Sequence, residues 1–263
     1  MVLIKQVPMS SDVGVDEETG VIKRESGDTK MNPYDLYALE AAFQTREKMG
    51  GTVSVLTMGP PQAEQVIREA FMMGADKGYL LTDRAFAGSD VLATSYALAQ
   101  GIQSIGKFNL IICGKQTTDG DTAQVASECS EFLNIPCITN VTSIPEINND
   151  SINVISDMGQ TIETVKMLYP CMIAVDKEIY QPRLPSYRRK KLTLNQNITR
   201  LNLSNLDDKD NNQYGLDGSP TRVVKIFPPP VQDEKEIWNG ESDQLADRLL
   251  NLLKDEKFYQ GEI

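Results

Sequence analysis

The chain has 263 residues, 40% of them hydrophobic and 24% charged, which suits one decorated α/β domain or two small ones around a real core. A net charge of -11 excludes duplex DNA or RNA as the main partner, because neutralising a phosphate backbone takes a clustered basic surface. The absence of histidine removes Ser-His-Asp and Cys-His catalysis, histidine-ligated metals and imidazole acid–base chemistry.

What chemistry remains must come from carboxylates, lysines, backbone amides or a bound cofactor. The basic run Arg188-Arg189-Lys190-Lys191 reads as a solvated loop or strand edge. No apolar run is long enough to cross a bilayer, and Met1-Val2-Leu3-Ile4-Lys5 lacks the layout of a signal peptide. A cytoplasmic protein without membrane insertion is the expectation. Cys113, Cys129, Cys137 and Cys171 show no CxxC spacing, so buried, inert thiols are expected rather than a zinc site or a disulfide framework.

In chain order, Val2-Leu3-Ile4 reads as a strand and 33–48 as an amphipathic helix with Asn32 as N-cap and Pro33 at its first position. Gly50-Gly51 ends that helix. The next pairs are strand 52–58 with helix 62–73, strand 78–82 with helix 90–105, and strand 108–114 with a helix from about Thr122 to Leu133. Strands alternating with crossover helices predict an α/β fold, a Rossmann-like parallel sheet with helices on both faces. Residues 151–155 and 161–168 read as a β-hairpin, and 171–175 as a further buried strand. Beyond Tyr180 prolines and charges dominate; 202–217 reads as a loose linker and Phe227-Pro228-Pro229-Pro230 as a rigid break. A last helix, about 242–254, carries Leu245, Leu249, Leu250, Leu252 and Leu253 and needs a surface to pack on, either a partner or its own domain. The expected organisation is an α/β nucleotide-binding domain over 1–200 and a C-terminal linker and arm over 201–263.

Ligands in such sheets sit at the carboxyl ends of the strands, where Pro8, Met58-Gly59 and the loop 114–125 fall. A polar loop entering a helix with small residues offers free amides and a positive dipole end to an anion; an ordinary capped helix explains the same residues. Ala123 and Val125 would act only through their amides, with Asp119 and Asp121 as turn and cap residues. Asn32-Pro33-Tyr34-Asp35 and Thr57-Met58-Gly59-Pro60 are either walls of an adenine pocket or simply a cap and a turn.

The ordered set Ile4-Lys5-Gln6-Val7-Pro8, Met31 to Glu40, Thr57-Met58-Gly59-Pro60, Met73-Gly74-Ala75-Asp76, Gly114-Lys115-Gln116 with Asp119-Gly120-Asp121-Thr122-Ala123-Gln124-Val125, Val175 to Ile179 with Pro182-Arg183, and Gly218-Ser219-Pro220-Thr221-Arg222-Val223 resembles the β subunit of electron-transferring flavoproteins. The resemblance spans nearly the whole chain. It implies a heterodimer with an α subunit that carries an electron-shuttling FAD, a flavin-containing dehydrogenase as client, and a nucleotide in this subunit. That nucleotide is AMP in simple members. It would touch Leu3, Val7, Pro8, Asn32, Pro33, Tyr34, Asp35, Thr57, Met58 and Gly59, with phosphates along Gly114, Lys115, Gln116 and 119–125. Residues 83–95 are similar to the electron-bifurcating branch, in which a second FAD takes a hydride from NADH and ferredoxin receives one electron. This implies cofactor contacts from Asp90, Thr94 and Ser95. The remaining alternatives are a non-bifurcating subunit with AMP and a nucleotide-binding stress or signalling domain. The segment after Pro182 departs from the family by lacking leucine-methionine character where a partner dehydrogenase is anchored, a role open to Tyr187.

Overall fold

The computed structural model describes residues 1–9, 28–224, 236–256 and 258. The chain divides into two compact units, Met1–Lys225 and Ile226–Ile263.

In the first unit, β1 (Val2–Leu3) lies in the middle of the seven parallel strands of a nine-stranded sheet. Val2, Leu3 and Ile4 are all buried, as expected for a strand covered on both faces. A two-stranded hairpin, β2 (Gln6–Pro8) with β3 (Thr29–Met31), rises from its carboxyl end. Then follow α1 (Pro33–Met49), β4 (Ser54–Met58), α2 (Glu64–Met73), β5 (Lys77–Leu81), α3 (Val91–Ile105), β6 (Leu110–Gly114) and α4 (Val125–Leu133). The chain continues with β7 (Cys137–Ile147), β8 (Ser151–Asp157), β9 (Ile162–Leu168), β10 (Cys171–Val175), the short helix α5 (Tyr187–Leu192) and β11 (Ile198–Leu201). The strand order is β11-β5-β4-β1-β6-β10-β7-β8-β9. Every pair from β11 to β7 is parallel, and β7-β8-β9 is antiparallel.

Two apolar layers sandwich this sheet. Ala38, Leu39, Phe43, Ile67 and Phe71 of α1 and α2 pack with Val2, Val55, Leu80, Ile112 and Ile173. Ala97, Leu98, Ile102, Ala126 and Cys129 of α3 and α4 pack with Leu3, Leu56, Leu81, Cys113 and Met172 on the opposite face. Alternate residues of each strand thus feed opposite layers, as the two-residue strand period requires. The predicted α/β sheet with helices on both faces is therefore observed, together with the hairpin β8-β9.

Four expectations need correction. First, α4 starts at Val125, not Thr122, because Asp121 (φ 51°) and Ala123 (φ 54°) hold left-handed backbone that no helix admits. Second, the basic run 188–191 is neither loop nor strand edge but helix, within α5, and all four side chains are exposed. Third, β7 and β11 occupy stretches that carried no strand signal. Fourth, 202–217 is anchored, not loose. Leu206 and Tyr214 are 2% and 1% exposed, and Tyr214 packs between Phe86 and Tyr96 with ring centroids 5.4 Å away in each case. Two apolar residues in a polar stretch suffice to pin it when both enter the core.

In the second unit, α6 (Ser242–Asp255) carries no buried residue. Arg248 stacks on Trp238 at 4.1 Å and bonds Glu236 at 3.1 Å. The proline break at 227–230 lies outside the described residues.

Candidate functional site

The direction of winding reverses at β1: β1 leads through α1 to β4 on one side, and β5 leads through α3 to β6 on the other. A crevice at such a switch point is where open α/β sheets bind ligands. Here it is walled by residues from three segments.

Asn32 and Asp35 form the floor, and both are buried. Asn32 occupies the N-cap position of α1 but makes no capping bond with its side chain. Instead its Nδ2 donates to Asp35 Oδ1 and to the Gln116 carbonyl, each at 2.9 Å, and its Oδ1 accepts from the Thr118 N–H at 3.2 Å. It brackets the loop after β6 to the start of α1. Asp35 Oδ2 accepts the Lys5 N–H at 2.7 Å. Burial drives the Asp35 carboxyl up to about 7, against the opposing donors from Asn32, Lys5 and Gly114 and the Lys5 charge.

Gly114 is the contact that permits this closeness. A Cβ there would lie 2.6 Å from Tyr34 Cβ and 2.7 Å from Asp35 Oδ1, so only glycine lets α1 approach the end of β6.

The rim is the loop 115–124. Lys5 at the end of β1 holds Asp119 at 2.7 Å, and Lys115 holds Asp176 at 2.9 Å. Burial works against ionisation of Asp119, yet the Lys5 bond and charge keep its carboxyl below the usual range. Asp121 accepts from Gln116 Nε2 at 2.8 Å. Neither aspartate caps α4, whose N-cap is Gln124 without a side-chain bond; both act within the turn. The Asp121 N–H donates to the Thr117 carbonyl at 2.9 Å. The N–H groups of Gly120, Thr122, Ala123 and Gln124 reach no backbone carbonyl among the described residues. With both flanking lysines present, that donor set fits a phosphate.

Thr57, Met58 and Gly59 close the end of β4, where the Gly59 N–H donates to the Leu81 carbonyl at 3.1 Å. Thr57 is fully buried and its Oγ1 has no hydrogen-bond partner among the described residues, a polar atom left for a ligand or water. Leu3 is buried in β1. Val7 and Pro8 stand on the β2-β3 hairpin, the first buried and the second exposed, and Gln6 leans that hairpin on Gln62, in the turn before α2, and on Gln65 within it. No hydrogen bond joins Val7 or Pro8 to the loop 115–124 among the described residues.

The remaining predicted residues lie on another segment that leaves the carboxyl end of a strand, the one from β5 into α3. Asp90 caps α3 by accepting from the Ala93 N–H at 3.1 Å. Thr94 is half-buried. Ser95 is fully buried and its hydroxyl donates to the Val91 carbonyl at 2.8 Å. Sequence reasoning passed over Lys5, Asp176, Ser219 and Thr221 as site residues. Lys5 had a signal in its place at the end of the first strand; the other three are brought in only by tertiary folding.

Away from the crevice, Cys113, Cys129 and Cys171 are buried, Cys137 is half-buried, and all four are free; burial raises each thiol above its ordinary range. Among the described residues no helix is long and apolar enough to cross a membrane.

Residues 19–203 match the electron transfer flavoprotein domain. The chain belongs to the electron transfer flavoprotein family, in its β-subunit branch. It is 40% identical over 253 residues to the electron transfer flavoprotein subunit beta of Thermoanaerobacterium thermosaccharolyticum, covering 96% of both chains. It is 39% identical to the protein FixA of Bradyrhizobium diazoefficiens, covering 96% of this chain and 90% of that one. With the caffeyl-CoA reductase-Etf complex subunit CarD of Acetobacterium woodii the identity is 38%, over 97% of each chain. Flavin and AMP are the nucleotides of this family.

Proposed function

We propose that this chain is the small subunit of a heterodimeric electron-transferring flavoprotein that holds FAD rather than AMP and serves electron bifurcation. When bound, the flavin would supply hydride acceptance from NADH and one-electron delivery, to ferredoxin on one branch and through the α-subunit FAD to a dehydrogenase on the other.

The observation that carries this reading is the spacing of two segments. Between β5, which leads into Asp90, Thr94 and Ser95, and β6, which leads into the loop 115–124, lie β4 and β1. Three strand steps of ~4.8 Å separate β5 from β6 by about 14 Å, and a ligand reaching from one segment to the other would be a dinucleotide sooner than a mononucleotide. In this reading the amides of Gly120, Thr122, Ala123 and Gln124 and the ammonium groups of Lys5 and Lys115 would hold the pyrophosphate. Asn32 and Asp35 would keep the crevice open, and Thr94 would meet the far end of the cofactor. The C-terminal unit would pack on the α subunit, and Tyr187, 71% exposed beside Leu184 at 86%, would contact the dehydrogenase.

One observation favours the plainer reading, AMP in the same crevice: Ser95 gives its hydroxyl hydrogen to Val91 and must rotate before it can donate to a ligand. Nucleotide content decides between the two. The chain is co-expressed with its α subunit, the yellow complex is denatured, and the released nucleotides are counted. About two FAD per heterodimer and no AMP is the expected result; one FAD with one AMP sinks the bifurcation reading.

A further inference from the structure

The Gly218-Ser219-Pro220-Thr221 motif is not needed for the crevice described above, yet it converges on the segment from β5 into α3. The Asp90 N–H donates to Ser219 Oγ at 2.8 Å, and Ser219 in turn donates to the Gly215 carbonyl at 2.6 Å. Asp90 Oδ2 accepts from both the N–H (2.9 Å) and the hydroxyl (2.7 Å) of Thr221, while its Oδ1 caps Ala93. Two segments 131 residues apart are thereby joined on a single carboxylate. Burial would raise that carboxyl, but the donors from Thr221, Ala93 and Leu92 hold it below its usual range.

The backbone on either side is fitted with no slack. A Cβ on Gly215 (φ 59°) would lie 2.3 Å from the Ala85 carbonyl oxygen, and one on Gly88 (φ 75°) would lie 2.6 Å from Leu216 Cγ. Leu203 donates its N–H to Asp83 Oδ2 at 3.1 Å. Asp208 accepts the Tyr96 hydroxyl at 2.5 Å. Residues 203–221 are thus a strap laid over 83–96, and among the described residues its last bond to that segment is made by Thr221.

We infer that Ser219 and Thr221 are positioning residues, a latch on Asp90 that fixes the first turn of α3 for the cofactor. This rests on the FAD reading above. Asp90 is the one residue that both receives the strap and sets the start of the helix carrying Thr94. A side chain with both oxygens occupied cannot swing toward the far end of the cofactor, so the latch also holds the Asp90 carboxylate away from it. Without Thr221 the carboxylate regains a free lone pair and its rotamer freedom, and Thr94 loses its fixed place.

The test uses the complex with the α subunit, as wild type and with Thr221→Val, Thr221→Ser and Ser219→Ala. Nucleotides released from the wild type are identified first, and FAD is then titrated into nucleotide-stripped complexes. Thr221→Val is expected to weaken β-subunit FAD binding about tenfold, the scale of one lost hydrogen bond to a charged group, and Ser219→Ala, which loses neutral bonds, about threefold, while Thr221→Ser restores it and the α-subunit FAD is unmoved. Two FAD in the wild type with unchanged binding in both variants overturns the latch and leaves the functional reading standing. One FAD and one AMP in the wild type overturns that reading, and the latch's role toward flavin falls with it. Amide exchange covers the case in which Thr221→Val does not assemble. Ala93 N–H in Ser219→Ala should exchange faster than in the wild type, and equal exchange overturns the latch.

Discussion

Lys5 and Asp119, 114 residues apart, meet at the mouth of the crevice, with both carboxylate oxygens within 2.8 Å of the ammonium. The pair joins the end of the central strand to the loop proposed to hold the phosphates, and it explains how an aspartate can stand there. As a partly exposed pair it adds under ~1 kcal/mol of stability. Its effect should appear in binding instead. Asp119→Asn removes an anion and leaves Lys5 more available, so AMP or FAD should bind a few-fold more tightly and with a steeper salt dependence. Lys5→Ala should weaken binding. Equilibrium dialysis at two salt concentrations reads both, and weaker binding by Asp119→Asn would place the phosphates elsewhere.

Gly114→Ala should be among the most damaging single changes in the sheet. The added methyl meets Tyr34 Cβ at 2.6 Å and the Tyr34 carbonyl carbon at 2.7 Å, and backbone cannot yield as a flexible side chain can. A cost of about 1–3 kcal/mol is expected, measured as a lowered urea midpoint. Gly120→Ala, with only Thr117 Oγ1 at 3.6 Å, is the control and should cost little.

Asp35 gives the fold a pH signature. Its folded pKa of about 7 stands above the ordinary value of 3.8, so the folded state binds the extra proton. Its contribution is fully present below about pH 4 and is lost as pH rises through about 7. Three pH units correspond to up to about 4 kcal/mol. Asp35→Asn should remove that slope, and stability curves of the two proteins that run parallel between pH 4 and 7 would count against this assignment.

Glu40 and Arg183 fasten the segment that leads into α5. Arg183 Nε and Nη2 each reach Glu40 at 2.8 Å, Nη2 also reaches Glu47 at 2.9 Å, and the guanidinium sits 4.7 Å over the Phe43 ring. Glu40 is 3% exposed, so Glu40→Ala leaves a cation short of its buried partner and should cost about 2 kcal/mol. Limited proteolysis should then cut faster within 184–194. An unchanged cleavage rate would mean that this pair does not hold the segment.

The alternating part of the fold was legible because its strands are continuous apolar runs and its first three helices end at glycines. Gly50, Gly74 and Gly106 all close helices with positive φ. β7 was not legible: Asn140 at φ 54° and register shifts between Val141, Ser143 and Glu146 break the two-residue period on which strand reading depends. β11 pairs four residues, Ile198 to Leu201, with β5, too few to show a pattern. In the crevice, the residue types at 32–35 and 114–125 were visible, but their relationships were not. Asn32 looks like a helix cap in any window of sequence, and its bond to Gln116 spans 84 residues. The ionic partners Asp119 and Asp176, and the latch at Ser219 and Thr221, are likewise set by topology, which local spacing does not encode.

The place of β1 also has a consequence for biogenesis. Leu3 pairs with Leu56 on one side and with Cys113 on the other. At ~5–20 residues added per second, the ribosome needs roughly 5–20 s after making Leu3 to reach its second neighbour. Throughout that interval a fully buried strand has at least one open edge, which makes early capture of nascent chains by chaperones, or by one another, a hazard of this topology.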